Sequence, residues 1–278
     1  MSTHPFDKAL ALQHSDIRAG HFTGATSPDY WNMVGPFGGV TAAIALQSVL
    51  LHPDLLGTPI ALTVNFAAAL EAGPFDVQAT PVRTNRSTQH WTVQITQPGT
   101  GGGAPNMTTT ATVVTAARRQ TWGESDLPMP ADVPPPEQVE RFSIGPSGVA
   151  WLDRYEMRPV SGGIPSRWDE DLRHSESRLW LRDAERRPLD FASLAALSDV
   201  FYPRVWLRRA KHVPAGTVSI TTYFHAGAAQ LAEVGADYLL GRAVGQQFFN
   251  GFFDQQAHLW SRQGVLLATS NQIVYYKE

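Results

Sequence analysis

The chain of 278 residues contains no cysteine. That excludes disulfides, cysteine nucleophiles and thiolate metal ligands together, and it fits a reducing compartment. An excess of basic charge is also missing. Lys and Arg number 22 against 25 Asp and Glu, the pI is near 6.3, and nothing points to nucleic acid as a partner. No apolar run reaches the roughly 18 residues of a membrane span. Residues 1–20, MSTHPFDKALALQHSDIRAG, lack the basic stretch followed by an apolar one that marks a secretory signal. The expectation is a soluble cytoplasmic protein with no membrane partner. Several catalytic signatures are absent as well. There is no G-x-S-x-G elbow, no H-E-x-x-H or other metal-ligand spacing, and no Walker A loop. Gly38-Gly39 lacks the third glycine and the preceding buried strand of a dinucleotide fingerprint. No metal and no cofactor is expected.

What is present is a hydrophobic content of 43%, enough for a sizeable core, and a pattern that occurs twice. Phe37-Gly38-Gly39-Val40-Thr41-Ala42-Ala43-Ile44-Ala45-Leu46 is an apolar helix opened by glycines. Leu189-Asp190-Phe191-Ala192-Ser193-Leu194-Ala195-Ala196-Leu197-Ser198-Asp199 is a similar small-residue helix. Pairing Phe37 with Phe191 gives an offset of 154 residues, and pairing Thr112 with Gln272 in the two last strands gives 160. Between the halves lies Asp126 to Val139, with Pro128, Pro130, Pro134, Pro135 and Pro136. Proline removes amide donors and fixes φ, so this stretch is read as an extended surface linker. The division that follows is 1–122, a linker at 123–142, and 143–278.

In the first half the helix is predicted from Gly38 to Leu51, stopped by His52-Pro53. It is apolar nearly all round and therefore buried. Strands follow at Ala61–Phe66, Phe75–Ala79, His90–Thr96 and Thr108–Val114, with a glycine-rich hairpin loop at Pro98–Pro105. In the second half strands are predicted at Trp151–Met157 and Ser177–Leu181, then a helix from Pro188 and Asp190 to about Phe201. Strands at Thr217–Phe224, Gly241–Phe249, Gln256–Trp260 and Val265–Tyr276 complete it, with a turn at Arg262-Gln263-Gly264. A buried helix followed by antiparallel strands, twice, gives an α+β fold in which each helix is wrapped by a curved sheet.

Three polar residues stand out in apolar elements. Asp199 is expected about two and a half turns into its helix, where a carboxylate is costly unless hydrogen-bonded or put to use; a solvated residue near a frayed end is the alternative. Gln272 lies mid-strand, where a hydrocarbon would be the default. Thr217, in a strand that sets Thr217, Ser219 and Thr221 against Val218, Ile220 and Thr222, reads by itself as an ordinary β-former. Together an acid, a hydroxyl and an amide can hold a water and remove one of its protons. An activated acyl group needs no covalent nucleophile, and the amides of Gly38 and Gly39 at a helix N-terminus can receive the developing negative charge. A tight turn and close helix–sheet packing explain the glycines equally well. The basic cluster Arg204, Arg208, Arg209 and Lys211, and the pair Arg83 and Arg86, suit either phosphates or a solvated face. His225 and His258 read as strand-face or surface residues. Phe248, Phe249, Phe252 and Phe253 suit an acyl tunnel or, preferably, the core between the halves.

These residues resemble the acyl-CoA thioesterase II (TesB-like) double-hotdog family. The similarity rests on Phe37-Gly38-Gly39 before its helix, Leu197-Ser198-Asp199, Thr217 followed by Tyr223-Phe224-His225, and Leu266-Leu267-Ala268-Thr269-Ser270-Asn271-Gln272. It implies a double hotdog, two tandem helix-and-sheet domains, that hydrolyses an acyl-CoA thioester. The family's water-holding acid, threonine and glutamine fall on Asp199, Thr217 and Gln272. The chain departs from the family at Val40, where Gln commonly follows Gly-Gly, and at Ser219-Ile220-Thr221, where an acid and a histidine are common. A non-catalytic acyl binder and a hydratase or dehydratase on the same fold remain as alternatives, and a homo-oligomer is allowed. Since Ala45 and Thr112 stand opposite Asp199 and Gln272, one such site per chain is expected, in the second half.

Overall fold

The computed structural model describes residues 4–15, 18–99, 103–143 and 149–278. Helix α1 (Pro5–Ala9) and strands β1 (Gln13–His14) and β2 (His21–Ala25) precede helix α2 (Gly38–Leu50). Strands β3 (Thr58–Phe66), β4 (Pro74–Thr84), β5 (Thr88–Gln97) and β6 (Asn106–Ala116) follow. The second half holds β7 (Tyr155–Ser161), β8 (Ser177–Asp183), α3 (Phe191–Leu197), α4 (Arg204–Arg209), β9 (Ala215–Phe224), α5 (Ala228–Val234), β10 (Leu239–Val244), β11 (Phe248–Phe249), β12 (Phe252–Ser261) and β13 (Leu266–Tyr276). Part of the expected hairpin loop, residues 100–102, lies outside the described residues.

All the strands join one antiparallel sheet in the order β1-β2-β4-β5-β6-β3-β9-β13-β12-β10-β8-β7, with β11 attached to β12. The order reads as one series followed by its mirror image, so the halves meet edge to edge at β3 and β9. This is the double hotdog in hydrogen-bond terms: two curved sheets closing on two helices and sharing a seam. Thr63 and Thr221 face each other there, with hydroxyl oxygens 2.9 Å apart. Each half also has a β-bulge at the matching place. Ile60 is skipped between β3 and β6, and Val218 is skipped between β9 and β13. Bulge and seam agree on an offset of 158 residues, that of the Thr63–Thr221 pair.

The core forms around α2 and α3, which pack against each other inside the sheet. α2 buries Val40, Ala42, Ala43, Ile44, Ala45, Leu46 and Val49, as its all-round apolar pattern requires. The second helix is shorter than expected. Asp190 caps it through the Ser193 amide, and Ser193 answers with its hydroxyl to the Asp190 amide, a full capping box. It ends at Leu197 rather than near Phe201, because the Ser198 hydroxyl bonds back to the Leu194 carbonyl at 2.9 Å and competes with the helical ladder. Two strands also differ. Residues 150–154 form a 3-10 turn, with Trp151 stacked on Phe37, and the strand begins only at Tyr155. β10 stops at Val244, where Asp254 accepts from the Gln246 and Gln247 amides and turns the chain. The helices α1, α4 and α5 and the strands β1 and β2 carried no periodic signal long enough to be read.

The proline-rich stretch runs across the outer face of β8 and β10. Trp180 donates to the Pro134 carbonyl and Trp260 to the Leu127 carbonyl, while Met129, Val133 and Val139 pack on Trp180, Tyr238 and Leu240. The basic cluster is divided. Arg209 pairs with Glu278 and Lys211 with Glu170, whereas Arg204 is wholly buried. Arg204 meets neither phosphate nor solvent. It donates to the carbonyls of Tyr202, Ser175 and Ala243 and to the Ser177 hydroxyl, and burial pulls its guanidinium down to about 9. Arg83 bonds its neighbour Asn85 in an exposed turn. Among the described residues no helix is long and apolar enough to cross a membrane.

Replacing Arg204 with Met leaves buried carbonyls without donors. The expected cost is roughly 3–5 kcal/mol, read as a lower urea midpoint at unchanged slope.

Candidate active site

The site is built where the N-terminus of α2 meets the turn after α3. Glycine is required at both contact points. A Cβ on Gly39 would lie 2.6 Å from the Ala196 carbonyl oxygen, and one on Gly38 would lie 2.7 Å from Asp199 Oδ2. With hydrogen in their place, the last turn of α3 rests directly on the first turn of α2. Asp199 therefore sits just past its helix, held by its amide to the Ala196 carbonyl, and not inside it as the sequence suggested. The Ser270 hydroxyl donates to the Ser198 carbonyl at 3.3 Å, tying this turn to β13 two residues before Gln272.

Gln272 Nε2 donates to Asp199 Oδ1 at 2.8 Å, and Thr217 Oγ1 donates to Gln272 Oε1 at 3.3 Å. The three residues thus form one hydrogen-bonded chain. Thr217 reaches it only because of the bulge at Val218. Unbroken alternation would place Thr217 with Ser219 and Thr221 on the outer face. The extra residue turns Thr217 inward with Ile220 and leaves Val218 38% exposed. The Gly39 amide also donates to the Asp199 carboxylate. Burial dominates nonetheless, and lifts the Asp199 pKa to about 7 against the opposing pull of Gln272 and Gly39. The Gly38 amide, in the first turn of a 13-residue helix, has no intrahelical acceptor.

Strand register settles what the first half has in the same places. Thr217 corresponds to Pro59. Gln272, paired with Ile220, corresponds to Val113, paired with Leu62. The sequence offset had put Thr112 opposite Gln272. A slip of one residue reverses the face of a strand: Thr112 is exposed, whereas Val113, like Gln272, points inward.

Asp199, Thr217, Gln272 and Gly38 line a cavity of about 770 Å³ between the halves, while Gly39 lies behind its wall. Its sides include Phe37, Phe66, Trp151, Tyr202, Trp206 and Phe253. Of the four phenylalanines near 250, only Phe253 reaches it; Phe249 and Phe252 are exposed, so the group forms neither a tunnel nor a core between the halves. His225 bonds Thr269, and His258 is buried beside Trp260; neither lines the cavity. His212 does line it, packed on Trp206 and Trp168. The aromatic wall from Trp151, Trp168 and Trp206 was missed, since its members come from a 3-10 turn, a loop and a short helix that show no shared period.

Residues 27–116 match the acyl-CoA thioesterase N-terminal domain family, and residues 126–276 match the acyl-CoA thioesterase C-terminal domain family. Among solved structures, a conserved hot dog fold protein of unknown function from Alicyclobacillus acidocaldarius is 45% identical over 100% of this chain and 99% of its own, with a TM-score of 0.91. The tesB protein of Mycobacterium avium subs paratuberculosis is 17% identical, covering 99% and 100%, with a TM-score of 0.76. The acyl-CoA thioesterase II TesB2 of Mycobacterium marinum is 17% identical, covering 98% of each chain, at 0.74. No curated protein sequence is a significant match.

A carboxyl group whose pKa is higher folded than unfolded costs stability as it ionises. The cost is absent below about pH 4 and complete above about pH 7. Asn at position 199 keeps one carbonyl acceptor without the charge. Asp199→Asn should match the parent at pH 4 and exceed it above pH 7 by roughly 1–4 kcal/mol, as measured by denaturant titration across pH.

Proposed function

The chain belongs to the acyl-CoA thioesterase family, as a TesB-like double-hotdog thioester hydrolase, and we propose that it hydrolyses acyl-CoA through a water held by Asp199, Thr217 and Gln272. The observation that carries this reading is the hydrogen-bonded chain Thr217–Gln272–Asp199 at the N-terminus of α2, on the floor of a mostly apolar cavity.

The chemistry follows from the donors and acceptors present. Gln272 has committed its amide to Asp199 and its carbonyl to Thr217, so it fixes both groups in place. Asp199 in its ionised form takes one proton from the water, and the Thr217 oxygen accepts the other as a hydrogen bond. The hydroxide equivalent adds to the thioester carbonyl. The negative charge that develops on the carbonyl oxygen is met by the Gly38 amide and the positive end of the α2 dipole. The C–S bond then breaks, and the thiolate takes the proton that Asp199 had removed. Water and thioester are consumed, and free acid and thiol are released. A thioester is activated enough that no acyl-enzyme is needed. This agrees with the cavity lining, which holds no serine or cysteine among the described residues. The hydratase alternative finds little support, because among the described residues no histidine bonds Asp199, and His212 is packed on tryptophan.

Thiol release from acyl-CoA substrates tests the reading. Because the base must be ionised, kcat/KM should rise about tenfold per pH unit below 7 and level off above it. Asp199→Asn should lower kcat by about 10²–10⁴, and Gln272→Ala and Thr217→Ala by about 10–10², each with unchanged far-UV circular dichroism. Full turnover in Asp199→Asn or Gln272→Ala would remove the mechanism.

A further inference from the structure

Among the described residues, Asp199 is the one Asp, Glu, Lys or Arg that lines the cavity. The surrounding surface is mostly apolar, and aromatic rings stand close to the reacting centre. The Phe66 ring comes within 3.4 Å of the position a Cβ on Gly38 would occupy. Phe37, the residue before Gly38, is stacked face to face on Trp151 at 4.3 Å and 8°. Tyr202, Trp206 and Phe253 also line the cavity. These walls are held rigidly. Trp206 donates its indole N–H to the Val213 carbonyl at 2.7 Å, and the Tyr202 backbone is gripped by buried Arg204.

Resting on the thioesterase reading of this same cavity, we propose that it selects uncharged acyl groups carrying an aromatic ring within a few bonds of the thioester carbonyl. Linear chains of equal carbon number are disfavoured, and acyl groups with a second carboxylate are excluded. A flat ring meets Phe66 and the Phe37–Trp151 stack by edge or face, each such contact adding roughly two- to tenfold beyond simple burial. It also enters with few rotors to freeze, whereas a flexible chain must order each of its bonds against fixed walls. A second carboxylate would be stripped of water where, among the described residues, no Lys or Arg faces it and where Asp199 repels it.

The experiment compares phenylacetyl-CoA, octanoyl-CoA and succinyl-CoA. Thiol release is measured with the parent protein, and affinity by calorimetry with Asp199→Asn, so that selection is read with and without turnover. Expected is kcat/KM for phenylacetyl-CoA about tenfold or more above octanoyl-CoA, and about a hundredfold or more above succinyl-CoA, with the same order in Kd. In Phe66→Leu the phenylacetyl-to-octanoyl ratio should fall toward one; an unchanged ratio would overturn the placement of the ring beside Gly38. Octanoyl-CoA equal to or better than phenylacetyl-CoA, or succinyl-CoA within tenfold of it, overturns the selection. No thiol from any substrate, with the expected order of binding retained, overturns hydrolysis and leaves the pocket assignment standing. No binding of any of them removes both.

Discussion

Close contact between two helices, possible only without side chains at Gly38 and Gly39, is the constraint from which the site follows. The Ala196 carbonyl occupies space that a Cβ on Gly39 would need, and Asp199 Oδ2 occupies that of Gly38. The same contact brings a carboxylate to the positive end of a 13-residue helix, supplies it with the Gly39 amide, and leaves the Gly38 amide without an intrahelical acceptor. Packing and charge placement are thus one geometric fact. An alanine at either position would strain both together, since the atoms it meets are a backbone carbonyl and a carboxylate already fixed by Gln272.

The mirrored sheet explains why the duplicated architecture does not duplicate the hydrogen-bonded chain of Thr217, Gln272 and Asp199. Both halves keep the bulge, at Ile60 and at Val218. The bulge is therefore a property of the shared fold, and it points residue 59 or 217 inward in either half. The difference lies in what it points. Pro59 has neither hydroxyl nor amide hydrogen, and Val113 has no polar group. The first half contributes a long helix with its dipole, and the second a short helix that ends in time for Asp199 to leave it.

Much of this was legible in the sequence for physical reasons. Alternation in β5, the apolar run of α2 and the cap at Asp190 each rest on local rules that the fold obeys. Asp199 and Gln272 were visible because each is a polar residue where a hydrocarbon is the default. Their surroundings were less legible. The end of α3 depends on a side-chain bond from Ser198 to Leu194, which no periodicity encodes. The inward turn of Thr217 depends on a bulge that overrides strict alternation. The burial of Arg204 depends on acceptors from residues 175, 177, 202 and 243, separated in the chain and joined by the fold. The aromatic wall has the same origin.

The electrostatics of Asp199 link the cavity to its use. A base in water near pH 4 would be too weak to deprotonate water well, and one left unaided in hydrocarbon would stay protonated at neutral pH. Burial raises its affinity for a proton, while Gln272 and the Gly39 amide limit that rise, leaving a value of about 7. In the proposed reaction the balance tightens as an apolar acyl group fills the cavity and displaces water. Desolvation then presses further upward, while the same loss of water strengthens each hydrogen bond that opposes it. A donor set fixed before the substrate arrives keeps the carboxylate ionisable when the cavity is full. Gln272 supplies this where a flexible donor would not. It is buried mid-strand, anchored at one end by Thr217 and at the other by the acid it serves.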